Sequence, residues 1–276
     1  MLTVEIVTDS AVSLADGEAA AAGVVVVALR VAIDGKEFAE DDLTPRQIIA
    51  ALQAGSAVST AQPSVEAFAA AYARAAAHGA SAVVSVHLSA ALSGTYAAAC
   101  SAAADAALPV HVVDSASVGF GLGFAVRAAV EARASGADPV VAAATSNANT
   151  DVWFYVDTLE HLRRGGRIGA AAAVLGTALA IKPILGLTDG QIVPAEKVRT
   201  RARALARLEE LGVERSGDGP VELAVQHLGA AAAAGELAER LAKQVPGARR
   251  VDVAEIGAAV GAHVGPGLLA VALRRL

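Results

Sequence analysis

The chain has 276 residues, enough to bury a substantial core and more typical of two domains than of one. Its formal net charge is −6 with acidic and basic residues interspersed, and aromatic residues make up only 3%. This composition argues against a basic nucleic-acid-binding face and against an aromatic base-stacking surface, so we expect no nucleic-acid partner.

The chain is rich in alanine, which raises the mean hydropathy without indicating a membrane protein. The longest apolar run, residues 169–181, stops at Lys182 and is shorter than the ~20 residues of a bilayer span. The first apolar run contains Glu5 and has no basic flank, unlike a signal peptide. Cys100 is the only cysteine, which excludes an intrachain disulfide and a multi-cysteine metal site. We therefore expect a soluble cytoplasmic protein with no membrane span.

In the first half, short β-rich runs alternate with alanine-rich helical segments. The pattern predicts strands over 2–8, 24–30, 81–86 and 110–114, and helices over 13–22, 44–53, 64–78, 93–107 and 121–135. Thr44 before Pro45 is typical of a helix N-cap, and Ser64 offers a second cap. Near-continuous apolar strands between helices predict a parallel sheet covered on both faces, with ligands bound at the carboxyl ends of its strands.

The pattern changes near residue 150. Strands are predicted over 152–158, 181–187, 191–198, 221–228 and 249–257, and helices over 200–212 and 230–244. The Asp189–Gly190 pair between two of these strands favours a hairpin. We predict an α/β protein with an N-terminal domain, residues 1–150, built on a parallel sheet between helices. A smaller C-terminal α/β domain, residues 151–276, would carry a mixed or antiparallel sheet.

The segment "HLSAALSGTY" places Ser93 between a predicted strand and a predicted helix. A serine nucleophile of the G-x-S-x-G type needs glycine two residues before and after it, but Ala91 and Thr95 stand there. A serine hydrolase is therefore disfavoured. Two other roles stay open: Ser93 or Thr95 caps the helix, or the exposed N–H groups and hydroxyls bind one carboxylate or phosphate.

Other polar segments have both structural and functional interpretations. Thr60 lies in the hydroxyl-rich turn "STAQPS", which is either a second part of the same pocket or a proline-stiffened loop. Asp9 and Asp114 each end a predicted strand and lack a second acidic residue at metal-ligand spacing, so we interpret them as architectural and predict no metal site. His87 and His227, at strand ends, are interpreted as structural.

The segment "LRRGGRIG" contains Arg163, Arg164 and Arg167, which are either solvated or part of a docking surface for an acidic or phosphorylated partner. Arg199 is predicted at a strand-to-helix junction. His263 lies in "GAHVGPG", which we predict to be a loop of small residues with little bulk to bury an imidazole. This makes His263 a candidate functional group.

Taken together, the segments resemble the DegV family of fatty-acid-binding proteins. Matching stretches occur in family order through nearly the whole chain: "VTDSAVSL", "STAQPS", "LSGTY", "VVDSASVGFGLG", "FYVDTLEHLRRGGRIG", "IKPIL…DGQI…KVRTR" and "IGAAVGAHVGPGLLAV". The chain departs at Ala61, where the family often has serine, and in "DSAVSL", where "DSTADL" is more usual. The resemblance implies the two-domain fold described above, with a buried tunnel for one fatty acid between the domains.

The resemblance further implies a carrier that is not itself an enzyme and has no cofactor other than the bound acid. Such carriers serve as the lipid-carrying subunit of a bacterial fatty acid kinase, in which a separate ATP-dependent subunit converts the carboxylate to an acyl phosphate for phospholipid synthesis. The carboxylate contacts fall on the hydroxyls of Thr60 and Ser93, and "LSGT" also supplies Gly94 and Thr95. Arg199 and His263 fall near the head group, where phosphoryl transfer or kinase docking occurs.

Two alternatives to this interpretation stay open. One is a serine hydrolase that uses Ser93. The other is a carrier of a different apolar acid without a kinase partner.

Overall fold

The computed structural model describes residues 3–174 and 182–276. Within these residues the chain forms an α/β fold with thirteen strands in three sheets. The strands are β1 Val4–Asp9, β2 Val24–Val27, β3 Arg30–Ile33, β4 Lys36–Ala39, β5 Val58–Ala61, β6 Ala82–His87, β7 Val110–Asp114, β8 Thr150–Tyr155, β9 Lys182–Thr188, β10 Gln191–Val198, β11 Val221–His227, β12 Ala248–Glu255 and β13 Leu269–Arg275. The helices are α1 Glu18–Ala21, α2 Pro45–Gln53, α3 Val65–Ala77, α4 Thr95–Ala104, α5 Phe120–Ser135, α6 Pro139–Ala148, α7 Glu160–Arg164, α8 Arg201–Ser216, α9 Ala231–Gln244 and α10 Ala258–Val264.

The first sheet is parallel throughout, in the order β2-β1-β6-β7. Phe68 and Tyr72 of α3 pack on one of its faces together with α4, and Leu122 and Val126 of α5 pack on the other. The predicted parallel sheet between helices is therefore confirmed. The carboxyl ends of β1, β6 and β7 lie side by side, which brings the loops that follow them to one edge.

The second sheet has six strands in the order β10-β9-β8-β13-β11-β12. It is mixed, because β11 and β12 are parallel while the other neighbours are antiparallel. The predicted hairpin joins β9 to β10, with both Asp189 and Gly190 at positive φ, as a primed turn requires. Helices α8 and α9 cover one face of this sheet.

Helix α5 lies between these two sheets and belongs to both cores. Eleven of its sixteen residues are buried. Phe120 and Phe124 pack against the six-stranded sheet, on the side away from Leu122 and Val126. Its buried Arg127 bonds Glu18 of α1 at 2.7 Å and Asp252 of β12 at 2.9 Å, so charges from both halves meet on this helix.

The third sheet was not predicted. It is antiparallel, in the order β4-β3-β5, and each of its strands has four residues. The strand predicted over 24–30 is wrong as a single element: the chain leaves the parallel sheet after Val27, and Arg30 begins the small sheet. Too few residues alternate in each of these strands for periodicity to reveal them.

Other elements differ from the prediction in where they begin or end, or in being a helix where a loop was predicted. The helix predicted over 13–22 shrinks to α1, because Gly17 at its start adopts a positive φ. The loop predicted around His263 is wrong: residues 258–264 form α10, and the glycines Gly265 and Gly267 that follow it have positive φ. The predicted strand starts at 2 and 181, and part of the apolar run 169–181, lie outside the described residues.

None of the helices in the described ranges combines the length and hydrophobicity needed to cross a membrane.

Candidate functional site

A cavity of about 270 Å³ lies where the loops after the parallel strands meet the six-stranded sheet and α10. Its wall is mostly apolar, with alanine, valine, leucine and isoleucine from both halves of the chain. Six polar or charged side chains also line it: Thr60, Gln62, Ser93, Arg167, Gln226 and His263. Ala61 and Gln62 are exposed, so the cavity meets solvent beside Thr60.

The loop that carries Ser93 is held by carboxylates at the ends of neighbouring strands. Asp9 accepts the backbone N–H of Leu88 at 3.0 Å, and Asp114 accepts that of Ala90 at 3.2 Å. Both aspartates therefore have the architectural role predicted for them. This bracing fixes the path of the chain from β6 into α4.

Ser93 contacts the first residue of α4 and also lines the cavity, so its binding of a carboxylate stays a prediction. Its Oγ accepts the Thr95 backbone N–H at 3.3 Å and lies 2.9 Å from the Thr95 hydroxyl, and the residue also lines the cavity. Thr95 itself is buried beneath Ser93 and does not line the cavity. Gly94 packs against the amide of Gln62: a Cβ on Gly94 would lie 2.4 Å from Gln62 Oε1.

Thr60 and His263 meet across the cavity wall, although 203 positions separate them in the chain. Thr60 Oγ1 of β5 and His263 Nε2 of α10 lie 2.7 Å apart. Burial, reinforced by the positive charge of Arg167, lowers the pKa of His263 to about 4. The imidazole is therefore neutral near pH 7 and carries one proton, on one of its two nitrogens.

The packing around His263 indicates which nitrogen holds this proton. Nδ1 is buried without a hydrogen-bond partner among the described residues, and it faces the backbone of Gly165, where a Cβ would be 2.1 Å away. A buried N–H without an acceptor costs more free energy than a buried ring nitrogen without a donor. Nε2 thus holds the proton and donates it to Thr60, which leaves the Thr60 hydroxyl hydrogen free to donate to a bound molecule.

Arg167 is a lining residue that sequence reasoning did not separate from its neighbours. Arg163 and Arg164 are exposed and pair with Glu160, as expected of solvated arginines. Arg167 instead turns inward, donating from Nε to the Leu92 carbonyl at 3.1 Å, and lines the cavity. All three arginines share one charge and one motif, so only the fold distinguishes them.

Gln226 is a second lining residue that the sequence did not reveal. It is 3% exposed, in β11, and within the described ranges it forms no hydrogen bond to the polar groups around Thr60. Its amide accepts the Phe120 N–H at 3.0 Å and donates to Ser13 Oγ at 2.9 Å, linking the six-stranded sheet to the N-terminal half. A glutamine within an apolar strand gives no sequence signal of this role.

Arg199 is not brought to this site. It is exposed after β10, it does not line the cavity, and its neighbour Thr200 caps α8 by accepting the Arg203 N–H. The predicted strand-to-helix junction is therefore confirmed. A role for Arg199 in docking a partner stays a prediction.

The geometry gives little support to a serine nucleophile. In the described part of the chain, the hydrogen bonds of the Ser93 hydroxyl go to Thr95 and not to a histidine. One serine–histidine–aspartate chain does exist, with His87 2.7 Å from Ser85 and 2.9 Å from Asp9. These side chains are fully buried and do not line the cavity, so His87 is structural, as predicted. Over the same ranges no three histidine, cysteine, aspartate or glutamate side chains gather as a metal site would require.

Comparison with known proteins identifies the family. The model of the DegV family, described as uncharacterised proteins, matches residues 3–275. The chain belongs to the DegV family. A DegV domain-containing protein from Streptomyces coelicolor is 47% identical over 272 residues, which is 97% of each chain.

Solved structures of other DegV proteins share the fold. A DegV protein of Thermus thermophilus, described by its fatty acid binding, superimposes with a TM-score of 0.93 at 33% identity, covering 99% of this chain and 100% of that one. The DegV protein of Bacillus subtilis, described as a fatty acid binding protein, has a TM-score of 0.90 at 28% identity, with both chains fully covered. The α/β architecture is thus that of DegV proteins.

Proposed function

We propose that this DegV protein binds one long-chain fatty acid in the cavity, with the carboxylate at Thr60 and Ser93. The observation that carries the proposal is an apolar cavity whose polar groups, apart from Gln226, gather where it meets solvent, in a fold shared with DegV proteins described as fatty acid binding. The chain of such a ligand runs along the apolar wall toward Gln226.

The energetics suit this ligand. Burying roughly ten methylenes contributes about 8 kcal/mol at ~0.8 kcal/mol each, before the cost of ordering the chain. The carboxylate is the costly end, because an anion that leaves water needs hydrogen bonds or a countercharge. Thr60 and Ser93 donate the hydrogen bonds, and the guanidinium of Arg167 supplies a nearby positive charge.

His263 acts through Thr60 in this arrangement. Because Nε2–H donates to Thr60 Oγ1, the Thr60 hydroxyl hydrogen points to the carboxylate and not back to the imidazole. The two hydroxyls, one of them oriented by a neutral histidine, hold the carboxylate oxygen without tying up its charge in a close ion pair. The oxygen then keeps the nucleophilicity needed for attack on phosphorus.

We further propose that the bound acid is presented to a separate ATP-dependent kinase subunit. A carboxylate oxygen attacks the γ-phosphorus of ATP, the bond to the β–γ bridging oxygen breaks, and the products are an acyl phosphate and ADP. This step is supported by the resemblance to carriers of that kind and by the position of the polar groups at the solvent end of the cavity. The exposed Arg163, Arg164 and Arg199 are the candidate docking residues.

Mass spectrometry of organic extracts from the purified protein tests the binding. We expect one fatty acid per chain in the native protein, and several-fold less in Thr60→Val and Ser93→Ala, with unfolding midpoints above the assay temperature as the check that both variants are folded. Thr3→Val is the matched control, since Thr3 is exposed and does not line the cavity. An empty native protein or a non-acidic ligand would contradict the proposal, and a different apolar acid would favour the alternative carrier.

The kinase step has a separate test. Loaded protein, ATP and a purified fatty acid kinase subunit are incubated, and acyl phosphate is trapped with hydroxylamine as the hydroxamate. We expect hydroxamate only when all three are present, and less of it with Arg199→Ala. Full activity without the carrier would contradict the presentation step while leaving fatty acid binding intact.

A further inference from the structure

Glu40 is a buried acid that does not line the cavity and has no part in the function proposed above. It follows β4 in a short 3₁₀ turn and is 5% exposed. One carboxylate oxygen accepts the backbone N–H of Ala259, in the first turn of α10, at 2.7 Å. The other accepts the hydroxyl of Ser10, which itself accepts the Leu29 N–H at 2.9 Å.

The contact between Glu40 and α10 is close enough to define where the helix begins. A Cβ on Gly257, the residue before α10, would lie 2.4 Å from Glu40 Oε1. The carboxylate therefore rests directly on the backbone at the start of the helix. At its far end, α10 is held by the bond between His263 and Thr60.

Both anchors come from the small antiparallel sheet. Glu40 follows β4 and Thr60 lies in β5, on either side of β3. Helix α10 contributes Ala259, Val260, His263 and Val264 to the cavity wall. Detachment of α10 from this sheet would thus remove one wall of the cavity and the histidine that orients Thr60.

We propose that Glu40 is the positioning residue of α10 and couples closure of this helix over the cavity to the uptake of one proton. The inference deepens the proposed function, because it concerns exchange of the ligand from that same cavity. In the closed state the carboxyl is buried against α10, and in the open state it is solvated. The closed state therefore binds the proton more tightly than the open state.

The surroundings of Glu40 favour its protonated form in the closed state. Burial raises the pKa of Glu40 to about 7, helped by the negative charges of Asp9 and Asp41, although the hydrogen bonds from Ser10 and Ala259 partly oppose the shift. Within the described residues, its carboxylate forms no ion pair with a basic side chain.

Few charged side chains lie on the elements that pack around Glu40 and α10. Asp9 of β1 is bonded to His87, and Asp41 and Asp42 in the same turn are exposed. Arg46 of α2 is exposed, and the histidine of α10 itself stays neutral above about pH 4. His161 of α7 packs against Gly265 at the other end of α10, and burial lowers its pKa.

Ligand release across the neutral pH range tests the proposal. The probe is cis-parinaric acid, and its transfer from the protein to phosphatidylcholine vesicles is followed by stopped-flow fluorescence at pH 6 and pH 8. We expect the native dissociation rate to rise about tenfold from pH 6 to pH 8, because ionised Glu40 favours the open state. Glu40→Gln keeps the shape and cannot ionise, so its rate should change far less, while Asp42→Asn, at an exposed residue of the same turn, should behave as the native protein. An equal rise in Glu40→Gln overturns the proposal.

A second measurement does not depend on a ligand. Amide hydrogen exchange of α10 in the ligand-free protein at pH 8 should be on the order of a hundredfold faster in the native chain than in Glu40→Gln, with matching circular dichroism spectra of the two as the check on folding. Equal protection of α10 in the two proteins overturns the role of Glu40. If none of the proteins binds parinaric acid, the proposed function fails, and hydrogen exchange still decides the role of Glu40.

Discussion

The pair formed by Thr60 and His263 links two segments that no sequence pattern connects. The hydroxyl-rich turn around Thr60 and the histidine among small residues could each be singled out from the sequence. Their 2.7 Å contact could not, because it depends on α10 packing against the small sheet. The inward orientation of Arg167 is unpredictable for the same reason: tertiary packing, and not residue type, distinguishes it from Arg163 and Arg164.

The protonation of His263 is directly measurable. With its pKa lowered to about 4 by burial, the imidazole should stay neutral from pH 5 to pH 8, with its hydrogen on Nε2. Nitrogen-detected NMR of the labelled side chain reports both the tautomer and the titration. The same residue in urea-unfolded chain should titrate near its ordinary value of about 6.5. A hydrogen on Nδ1 would contradict the orientation inferred for Thr60.

The same lowered pKa makes the free energy of unfolding depend on pH. The unfolded histidine takes up a proton near pH 6.5 and the folded one only near pH 4, so His263 stabilises the fold above pH 6.5 and loses this contribution as the pH falls toward 4. Between pH 7 and pH 5 the loss amounts to about 2 kcal/mol. Urea denaturation at the two pH values should therefore show a smaller pH difference in His263→Asn than in the native protein. The same pH difference in both proteins would contradict the lowered pKa of His263.

Gly94 is a residue where added volume should affect the site and not the fold. Its Cβ would lie 2.4 Å from Gln62 Oε1, and because Gln62 is an exposed, flexible side chain, Gly94→Ala should displace it and not strain the backbone. We expect several-fold weaker fatty acid binding by isothermal titration with little change in thermal stability. Gly235→Ala, in α9, where the added methyl group would meet nothing within 4 Å beyond its chain neighbours and the adjacent backbone of its own helix, is the control and should bind normally.

Helices and strands differ in how much of them the sequence predicts. The start of α2 is predicted well, because Thr44 and Pro45 form a cap with local rules, and Thr44 indeed accepts the Gln47 N–H in a capping box. Helix α6 has the same kind of signal in Asp138 and Pro139 but was not predicted, since its alanine-rich sequence lies where the domain boundary was expected. The four-residue strands of the small sheet are too short for periodicity, and their local signal is the Asp34–Gly35 pair at the turn from β3 to β4, where both residues have positive φ.

The ion pairs of α5 should contribute to stability in proportion to their burial. Replacing Arg127 by Met removes one partner from the carboxylates of Glu18, Glu222 and Asp252. Each carboxylate keeps an ion pair with Arg250 or Arg274, so we expect a loss of about 2–3 kcal/mol, below the cost of a fully broken buried pair. Equilibrium urea denaturation measures the loss. Arg30→Met, which breaks an exposed pair with Glu37, should change the free energy of unfolding by less than about 1 kcal/mol. Equal losses of stability in the two variants would contradict a larger contribution from the buried ion pairs.

The molecule as a whole should respond to its ligand as one unit, because the cavity wall comes from both halves. A fatty acid at one hundred times its dissociation constant adds about 2.7 kcal/mol to the free energy of unfolding. For a chain of this size we expect the unfolding midpoint in calorimetry to rise by about 5 °C in a single transition. The methyl ester of the same acid, which lacks the carboxylate, should raise it less. Two separate transitions, with only one shifted, would contradict this picture.

Helix α5 also has a consequence for how the gene product can be divided. It lies in the first half of the chain, yet Phe120 and Phe124 complete the core of the six-stranded sheet in the second. A fragment from residue 150 onward would therefore expose an apolar sheet face, and a fragment ending there would expose one side of α5. Expressed separately, the fragments should aggregate. Expressed together, they should associate into a complemented protein with the native cavity, much as a split reporter recovers its fold only when its parts meet.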